Sequence, residues 1–168
     1  MAHVTPEVAL AITRQKGRYA RYADTKRWDK FAEEIALPDA RYTFFDVDGK
    51  PLTVGKAALA FDSTAALAAY FTKFFAELDT IHNLSAAGDF EQVAPGEVRA
   101  VFGFEDNVMN KTLGHWAEIR GGGYYYETWR LVDGEWKIAE LRMERTYQKM
   151  TFLVSFALTL AGIFGLKI

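Results

Sequence analysis

The sequence has no cysteine, only three histidines and no excess of charge of one sign. Without cysteine there are no disulfide bonds, thiolate zinc sites, iron–sulfur clusters or cysteine nucleophiles. Because three histidines offer few ligands, we expect no metal ion. The chain carries 20 basic and 22 acidic residues, a net charge of −2. Since phosphate backbones are bound by strongly cationic surfaces, we expect no nucleic-acid partner.

The chain is instead rich in apolar and aromatic residues. Hydrophobic residues make up 50% of its 168 positions and aromatic residues 15%, which is typical of a globular protein and not of a disordered one. This length suits one domain with one core, which we place at residues 1–150, followed by an apolar segment at 151–168. The first residues lack the basic start and apolar run of a secretory signal, so we expect a cytoplasmic protein.

Helical spacing of apolar residues and capping residues predict three helices in the first half of the chain. Pro6 suits a first helical turn, and Pro38 prevents a helix from continuing. The first predicted helix runs from Pro6 to about Ala23. The second begins at a cap, Asp24 or Thr25, and continues through residues 28–35. The third begins at a cap, Asp62 or Ser63, and ends at Leu78. Between the last two, Asp48-Gly49 predicts a hairpin that joins residues 41–45 to 51–54.

After Asp79 the apolar period changes to that of long strands. The predicted strands are 81–93, 98–108, 124–132 and 136–147. The run Gly121–Gly123 leads into a strand and not into a helix, which favours a bend or flexible loop over a phosphate-binding loop. Three helices followed by four antiparallel strands indicate an α+β fold, in which a strongly bent sheet leaves a partly filled concave interior.

Strand alternation identifies rows of residues that can face this interior. In 124–129 one row is Tyr125, Glu127 and Trp129 and the other is Tyr124, Tyr126 and Thr128, and one of the two must line the interior. In the last strand the inward row is Ala139, Leu141, Met143 and Arg145. A charge at the end of an apolar row needs a partner, so Arg145 either forms a structural ion pair with Glu127 or binds substrate.

Two further residues carry alternatives of the same kind. His82 shares its face with Leu84, which is consistent with a hydrogen-bonded structural histidine or with an acid–base residue. Asp106 shares a row with Phe102 and Phe104, so it is either a carboxylate of the interior or solvated at the strand end.

The segment from Thr151 to Leu166 contains no charged residue. It is shorter than the roughly 20 residues of a membrane-spanning helix. We therefore expect a helix that packs on the domain or on a dimer partner, with membrane association as the alternative.

Several short motifs, in this order and spacing, resemble the SnoaL-like branch of the nuclear-transport-factor-2-like superfamily, which includes ketosteroid isomerase, polyketide cyclases and scytalone dehydratase. They occur between Glu7 and Tyr147 and are YARYAD at 19–24, RWD at 27–29, PDARY at 38–42, TIHN at 80–83, GYYYET at 123–128 and DGEWKI at 133–138. The resemblance implies a cone-shaped α+β barrel with a deep pocket, a homodimer, and chemistry without metal or organic cofactor.

The resemblance also implies a site. It keeps the strand histidine of scytalone dehydratase as His82, a tyrosine as Tyr42 and the helix-junction aspartate as Asp24, which can alternatively cap a helix. Other dehydratase positions fall on Ala23, Phe102, Gly123 and Tyr125, which makes the pocket more aromatic. The catalytic candidates are His82, Glu127 and Asp106, and the substrate-binding candidates are Tyr22, Asp24, Tyr42, Phe102, Tyr125, Met143 and Arg145.

We therefore expect a cofactor-independent isomerase or cyclase that rearranges or closes a polycyclic polyketide, terpenoid or alkaloid intermediate. A dehydratase of the scytalone type is one alternative. A non-catalytic module that binds a small molecule or takes part in assembly is the other, since one fold supports many functions.

Overall fold

The computed structural model describes residues 4–54, 57–85 and 87–157. Helix α1 is Pro6–Asp24, and its N-cap Thr5 accepts a hydrogen bond from the backbone N–H of Val8. Helix α2, Trp28–Lys30, continues as a π-helix over Phe31–Ile35. Helix α3 is Thr64–Phe74, with Ser63 as its N-cap. The three predicted helices are confirmed, although α3 ends before Leu78, which begins a strand.

In the part of the chain that the structure describes, the extended segments between and after these helices form nine strands. They are β1 Ala36–Phe45, β2 Thr53–Val54, β3 Ala57–Ala58, β4 Ala60–Phe61, β5 Leu78–Leu84, β6 Asp89–Ala94, β7 Glu97–Asn110, β8 Gly114–Val132 and β9 Glu135–Met150.

Seven of these strands form one curved sheet with the order β4-β1-β9-β8-β7-β5, and β6 also pairs with β7. The pairings are antiparallel except that β1 runs parallel to β9. Among the described strands the two ends of this path, β4 and β5, do not pair. The α+β fold is confirmed as an open cone of mostly antiparallel strands and not as a closed barrel.

Two predicted strand arrangements are wrong in detail. The predicted strand 81–93 is two strands, because β5 and β6 pair with successive parts of β7 and the break between them lets the sheet bend. The predicted hairpin is reduced to a single bridge between Phe45 and Pro51, and β2 pairs with β3 instead of β1.

The glycine run is not a loop, which corrects the prediction for residues 121–123. All three glycines lie inside β8, next to a register shift against β9. A Cβ atom on Gly123 would lie 1.9 Å from the carbonyl oxygen of Glu144. Glycine is needed here because the neighbouring strands approach too closely for any side chain.

The inward rows of the sheet form the core together with the helices. Of the two rows of β8, the one with Tyr125, Glu127 and Trp129 is buried. In β9 the register shift opposite Thr128 and Trp129 takes Ala139 out of the inward row. Ile138, at 0% exposure, occupies the buried position instead, because a β-bulge changes the parity of the strand.

Residues 152–157 are helical, and the backbone N–H of Thr151 donates to the carbonyl oxygen of Glu118 in β8. The rest of the predicted apolar helix lies outside the described residues. Within the described part of the chain, no helix is long and apolar enough to cross a membrane.

Candidate active site

A cavity of about 420 Å³ lies between the helices and the concave face of the sheet. Its walls are mainly apolar, with Trp28, Phe44, Phe71, Phe75 and Met143 among the lining residues. The volume falls within the usual range for small-molecule sites. The cavity is therefore the candidate site, and its few polar groups are described one by one below.

His82 on β5 is the first polar group of the cavity wall. Its ring Nδ1 lies 2.6 Å from Oδ1 of Asp24, at the end of α1. The backbone N–H of His82 donates to the other carboxylate oxygen at 3.1 Å. A carboxylate at Nδ1 fixes the ring orientation and holds the proton on Nδ1, so Nε2 is the nitrogen available to a substrate. Asp24 is thus a partner of His82 and not a helix cap, and α2 has no side-chain cap.

The second polar group is an ion pair between Arg145 on β9 and Asp106 on β7. Nη1 and Nη2 of Arg145 donate to the two carboxylate oxygens of Asp106 at 2.9 and 2.7 Å. The side chains are only 10% and 6% exposed, and both residues line the cavity. Burial acts to lower the pKa of Arg145, but the hydrogen bonds and charge of Asp106 outweigh it and raise that pKa, so the guanidinium stays charged.

This pairing corrects two expectations from the sequence. Arg145 does not pair with Glu127, because the carboxylate that its guanidinium reaches belongs to β7. Asp106 is not solvated at a strand end, because β7 continues to Asn110 and the Asp106 side chain is buried against Arg145.

Glu127 lies behind the cavity wall and forms an ion pair with Lys16 of α1. It also accepts a hydrogen bond from the indole N–H of Trp129 at 2.9 Å. Lys16 is 1% exposed, and burial lowers its pKa, although the charge of Glu127 opposes this shift. Glu127 is not among the residues that line the cavity. The structure therefore does not place Glu127 beside His82 in the cavity wall, and a catalytic role for Glu127 stays a prediction.

The role of Lys16 was missed by sequence reasoning, although a signal was present. Lys16 follows Ile12 by four residues and precedes Tyr19 by three, which places a charge on the buried stripe of α1. A lysine in such a stripe requires a buried acidic partner.

Two tyrosines separate this ion pair from the cavity. Tyr19 and Tyr125 both line the cavity, and their hydroxyl oxygens lie 3.4 Å apart. The ammonium of Lys16 lies 3.6 Å from the ring centroid of Tyr125 and 3.9 Å from that of Tyr19. Burial raises the pKa of both phenols, which therefore remain protonated hydrogen-bond donors at neutral pH. Tyr125 was predicted for this wall, and Tyr19 was not.

Three other predicted substrate-binding residues lie away from the cavity lining. The Tyr22 hydroxyl donates to Glu34 at 2.6 Å on the other side of α1. The Tyr42 hydroxyl and Oγ1 of Thr64 are 2.6 Å apart. Phe102 is buried and packs edge-on against Phe90.

The structure thus brings together His82, Asp24, Asp106, Tyr125, Met143 and Arg145, and adds Tyr19. Over residues 4–54, 57–85 and 87–157, no group of three or more histidine and acidic side chains is arranged to hold a metal ion. The site can transfer protons at His82 and donate hydrogen bonds from Arg145 and the two tyrosines.

Comparisons with known proteins agree with this architecture. A probable cyclase, FGR4 of Gibberella zeae, is 37% identical over 147 residues, which are 88% of this chain and 97% of that protein. A solved scytalone dehydratase-like protein of Novosphingobium aromaticivorans has a TM-score of 0.69 and 16% identity, over 83% of this chain and 84% of its own. The LinA-type3 hexachlorocyclohexane dehydrochlorinase of Novosphingobium barchaimii has a TM-score of 0.66 and 16% identity, over 85% of this chain and 89% of its own.

The two solved structures show the shared fold alone, since their sequences have diverged so far. A family model described as a SnoaL-like domain matches residues 6–142, which span the helices and most of the sheet. The chain therefore belongs to the SnoaL-like family of the nuclear-transport-factor-2-like superfamily.

Proposed function

We propose that this protein is a cofactor-independent isomerase or cyclase that acts on a hydrophobic, polycyclic natural-product intermediate. The observation that carries the proposal is the ring of His82, which Asp24 orients in the wall of a mainly apolar cavity. The 37% identity to a probable cyclase supports the same class of reaction.

His82 serves as the acid–base residue. With Nδ1 bound to Asp24, neutral His82 accepts a proton from the substrate at Nε2 and then returns it to another atom of the same substrate. The charge that forms on the imidazole is stabilised by the Asp24 carboxylate 2.6 Å away. A positioned general base contributes roughly 100- to 10,000-fold in rate.

The rest of the cavity selects and folds the substrate. Aromatic and other apolar side chains cover most of the wall, which favours a large, flat or polycyclic apolar molecule. Tyr19 and Tyr125 supply hydroxyl groups for substrate oxygens close to His82, since the rings of Tyr19 and His82 are 6.4 Å apart. Holding a flexible substrate in one reactive conformation accelerates ring closure by removing the entropy cost of finding it.

The test uses purified protein and a panel of polyketide, terpenoid and alkaloid intermediates, with products analysed by mass spectrometry. An isomerase or cyclase gives a product of the substrate's own mass. A product lighter by one water would instead establish a dehydratase. A ligand that binds and is recovered unchanged would establish a binding module.

The assignment of His82 is tested by His82→Ala and Asp24→Asn beside His115→Ala. His115 is exposed and does not line the cavity, so it provides a matched histidine control. We expect His82→Ala to lower turnover by at least about 100-fold with little change in melting temperature, because the lost contribution is proton transfer and not packing. Normal turnover of a folded His82→Ala variant would refute the assignment.

A further inference from the structure

The backbone just after α1 has a conformation that lysine rarely adopts. Lys26 has a φ of 59°, in the left-handed region, and its backbone N–H donates to the carbonyl oxygen of Ala23. Glycine usually occupies this position at the end of a helix, because a Cβ atom is unfavourable there. Among the described residues, the other non-glycine residue with a positive φ is Asp133, in an Asp-Gly turn where aspartate is common. Lysine at position 26 therefore indicates a role for its side chain.

The ammonium group of Lys26 binds a hydroxyl group on β5. Its Nζ donates a hydrogen bond to Oγ1 of Thr80. The same Nζ lies 5.5 Å from the ring centroid of Phe75, a residue of the cavity wall. Burial lowers the pKa of Lys26, whereas the charges of Asp24 and Asp79 act in the opposite direction. The ammonium is thus held at the edge of the cavity wall, near the acidic partner of His82.

This contact determines which way the Thr80 hydroxyl points. A lysine ammonium has donors only, so Oγ1 of Thr80 must accept the hydrogen bond from Lys26. The hydroxyl proton is then directed to a different acceptor, and Oδ1 of Asp24 lies 3.4 Å from Oγ1. Successive hydrogen bonds polarise one another, so donation from a cation strengthens the bond from Thr80 to Asp24.

Thr80 adds a third hydrogen bond to a carboxylate that already has two contacts with His82. Oδ1 of Asp24 lies 2.6 Å from ring Nδ1, and Oδ2 accepts from the backbone N–H at 3.1 Å. The Asp24 side chain is 23% exposed, so packing alone does not fix its carboxylate. The Thr80 hydroxyl therefore limits rotation of the carboxylate and keeps Oδ1 in line with Nδ1.

The other ionisable groups around His82 have partners of their own. The Tyr19 hydroxyl of α1 donates to the hydroxyl of Tyr125. Asp106 of β7 is directly paired with His82 across the strands, and both of its carboxylate oxygens accept from Arg145. Asp24 is thus the group that determines which ring nitrogen of His82 carries the proton.

We propose that Lys26 and Thr80 are positioning residues that orient the Asp24 carboxylate and thereby hold the proton of the neutral His82 ring on Nδ1. In the other tautomer Nε2 carries the proton and cannot accept one from a substrate. The inference rests on the proposed function, because the tautomer matters only if Nε2 acts as a base. It adds to that function the two residues that keep the base ready.

The test is nitrogen-15 NMR of the histidine rings in the full chain without substrate, since the chemical shifts of the ring nitrogens distinguish the two neutral tautomers. The His82→Ala variant identifies the His82 signals among the three histidines. We expect the Nδ1–H tautomer in wild type. Thr80→Val keeps the side-chain shape without the hydroxyl, and Lys26→Met removes the cation. Each should raise the ratio of the Nε2–H to the Nδ1–H tautomer by at least about 3-fold, because one hydrogen bond changes an equilibrium by roughly this factor.

Thr72→Val and Lys73→Met are the matched controls, because both residues are exposed on α3 and do not line the cavity. Both should leave the His82 tautomer as in wild type. Nitrobenzene, an apolar aromatic molecule, is the probe for the cavity itself. Neither Lys26 nor Thr80 lines the cavity, so all four variants should bind nitrobenzene as wild type does.

Lys26→Gly separates positioning from a stabilising role. Glycine adopts a positive φ without steric cost, so this variant should melt at a temperature no lower than wild type, with the same change of tautomer as Lys26→Met. A lysine with a purely structural role predicts the opposite result, a lower melting temperature with an unchanged tautomer. The proposal would be overturned if Thr80→Val or Lys26→Met keeps the wild-type ratio, or if the control variants change it equally.

The outcomes for the two proposals are separable. A changed tautomer ratio in Lys26→Met together with normal turnover in folded His82→Ala supports the positioning role and removes the acid–base function. Loss of turnover in His82→Ala with an unchanged ratio in Thr80→Val leaves the acid–base function standing and removes the positioning role. If both proposals hold, Thr80→Val should lower kcat by about 10-fold and leave KM unchanged, as expected for an outer partner of a functional histidine.

Discussion

Replacement of Lys16 by methionine would show how strongly the fold depends on the ion pair behind the cavity. The side chains of Lys16 and Glu127 are 1% and 0% exposed, so neither is hydrated when its partner is removed. Methionine keeps an unbranched chain but no charge, which leaves the Glu127 carboxylate with the Trp129 indole N–H as its remaining donor. Removing one member of such a pair costs about 3–5 kcal/mol. For a chain of this length, that loss lowers the melting temperature by about 6–20 °C.

The assay is urea-induced unfolding at neutral pH, followed by tryptophan fluorescence. The double variant Lys16→Met/Glu127→Gln should recover most of the lost stability, because no uncompensated charge remains buried. Lys30→Met is the matched control, because Lys30 pairs with Glu33 and Glu34 on the surface, where solvent screening leaves ion pairs with little effect on stability. A loss below about 1 kcal/mol in Lys16→Met, or a double variant no more stable than the single one, would refute this reasoning.

The same reasoning changes the expected behaviour of Glu127→Gln. As a general base Glu127 would have been needed for proton transfer, but its carboxylate contacts Lys16 and Trp129 and does not line the cavity. We expect the variant to lose stability and to retain turnover per folded molecule. A folded, fully stable variant with turnover lowered about 100-fold would restore the catalytic role.

Three further predictions concern the buried tyrosines, the glycines and the C-terminal segment. Burial raises the pKa of Tyr19, Tyr42 and Tyr125 above the ordinary 10.0, so the folded state holds these protons more tightly than the unfolded state. Their contribution to stability is complete below pH 10 and is lost as pH rises above it, and urea titrations should show a shallower fall for Tyr42→Phe. Gly123→Ala should unfold the protein or lower its free energy of unfolding by more than about 3 kcal/mol. Gly17→Ala should stabilise α1 by up to about 1 kcal/mol, because nothing lies within 4 Å of the added Cβ atom. Equal melting temperatures of the two variants would contradict both predictions. Removal of residues 151–168 should weaken nitrobenzene binding or reduce solubility, because Val154 lines the cavity. The membrane alternative would be favoured if the truncated protein stays soluble with unchanged binding while the intact chain partitions into lipid vesicles.

Local patterns in the sequence were sufficient for most of the secondary structure. Caps and helical spacing placed α1 and α3 within a few residues, because a helix is stabilised by contacts between residues three and four apart. Alternation separated the two faces of β8, because side-chain direction in a strand is set by the backbone itself, but it did not say which face is buried. Alternation failed at Ala139, where a bulge that depends on the pairing of two strands changes the parity.

The role of the glycine run needed the tertiary structure. A sequence of three glycines is compatible with a flexible loop or with close packing, and the local pattern does not distinguish the two. In the folded chain Gly121 accommodates the guanidinium of Arg145, and Gly123 lies against the backbone of β9. Both reasons involve residues more than 20 positions away, so they arise only when β8 and β9 are paired.

The sequence by itself determined that Arg145 and His82 share faces with apolar residues, and it marked Asp106 and Glu127 as candidates for the interior, since strand period and hydrophobicity give this much. Only the tertiary structure decided which charges meet. Arg145 and Asp106 are 39 residues apart and Lys16 and Glu127 are 111 apart, and each pair joins different elements. The position of α1 and the strand order place the Asp106 carboxylate in the cavity wall. They place the Glu127 carboxylate behind Tyr19 and Tyr125. Because the charge of a buried group must be compensated by whatever the fold places beside it, the function of each carboxylate is decided by packing and not by its own sequence position.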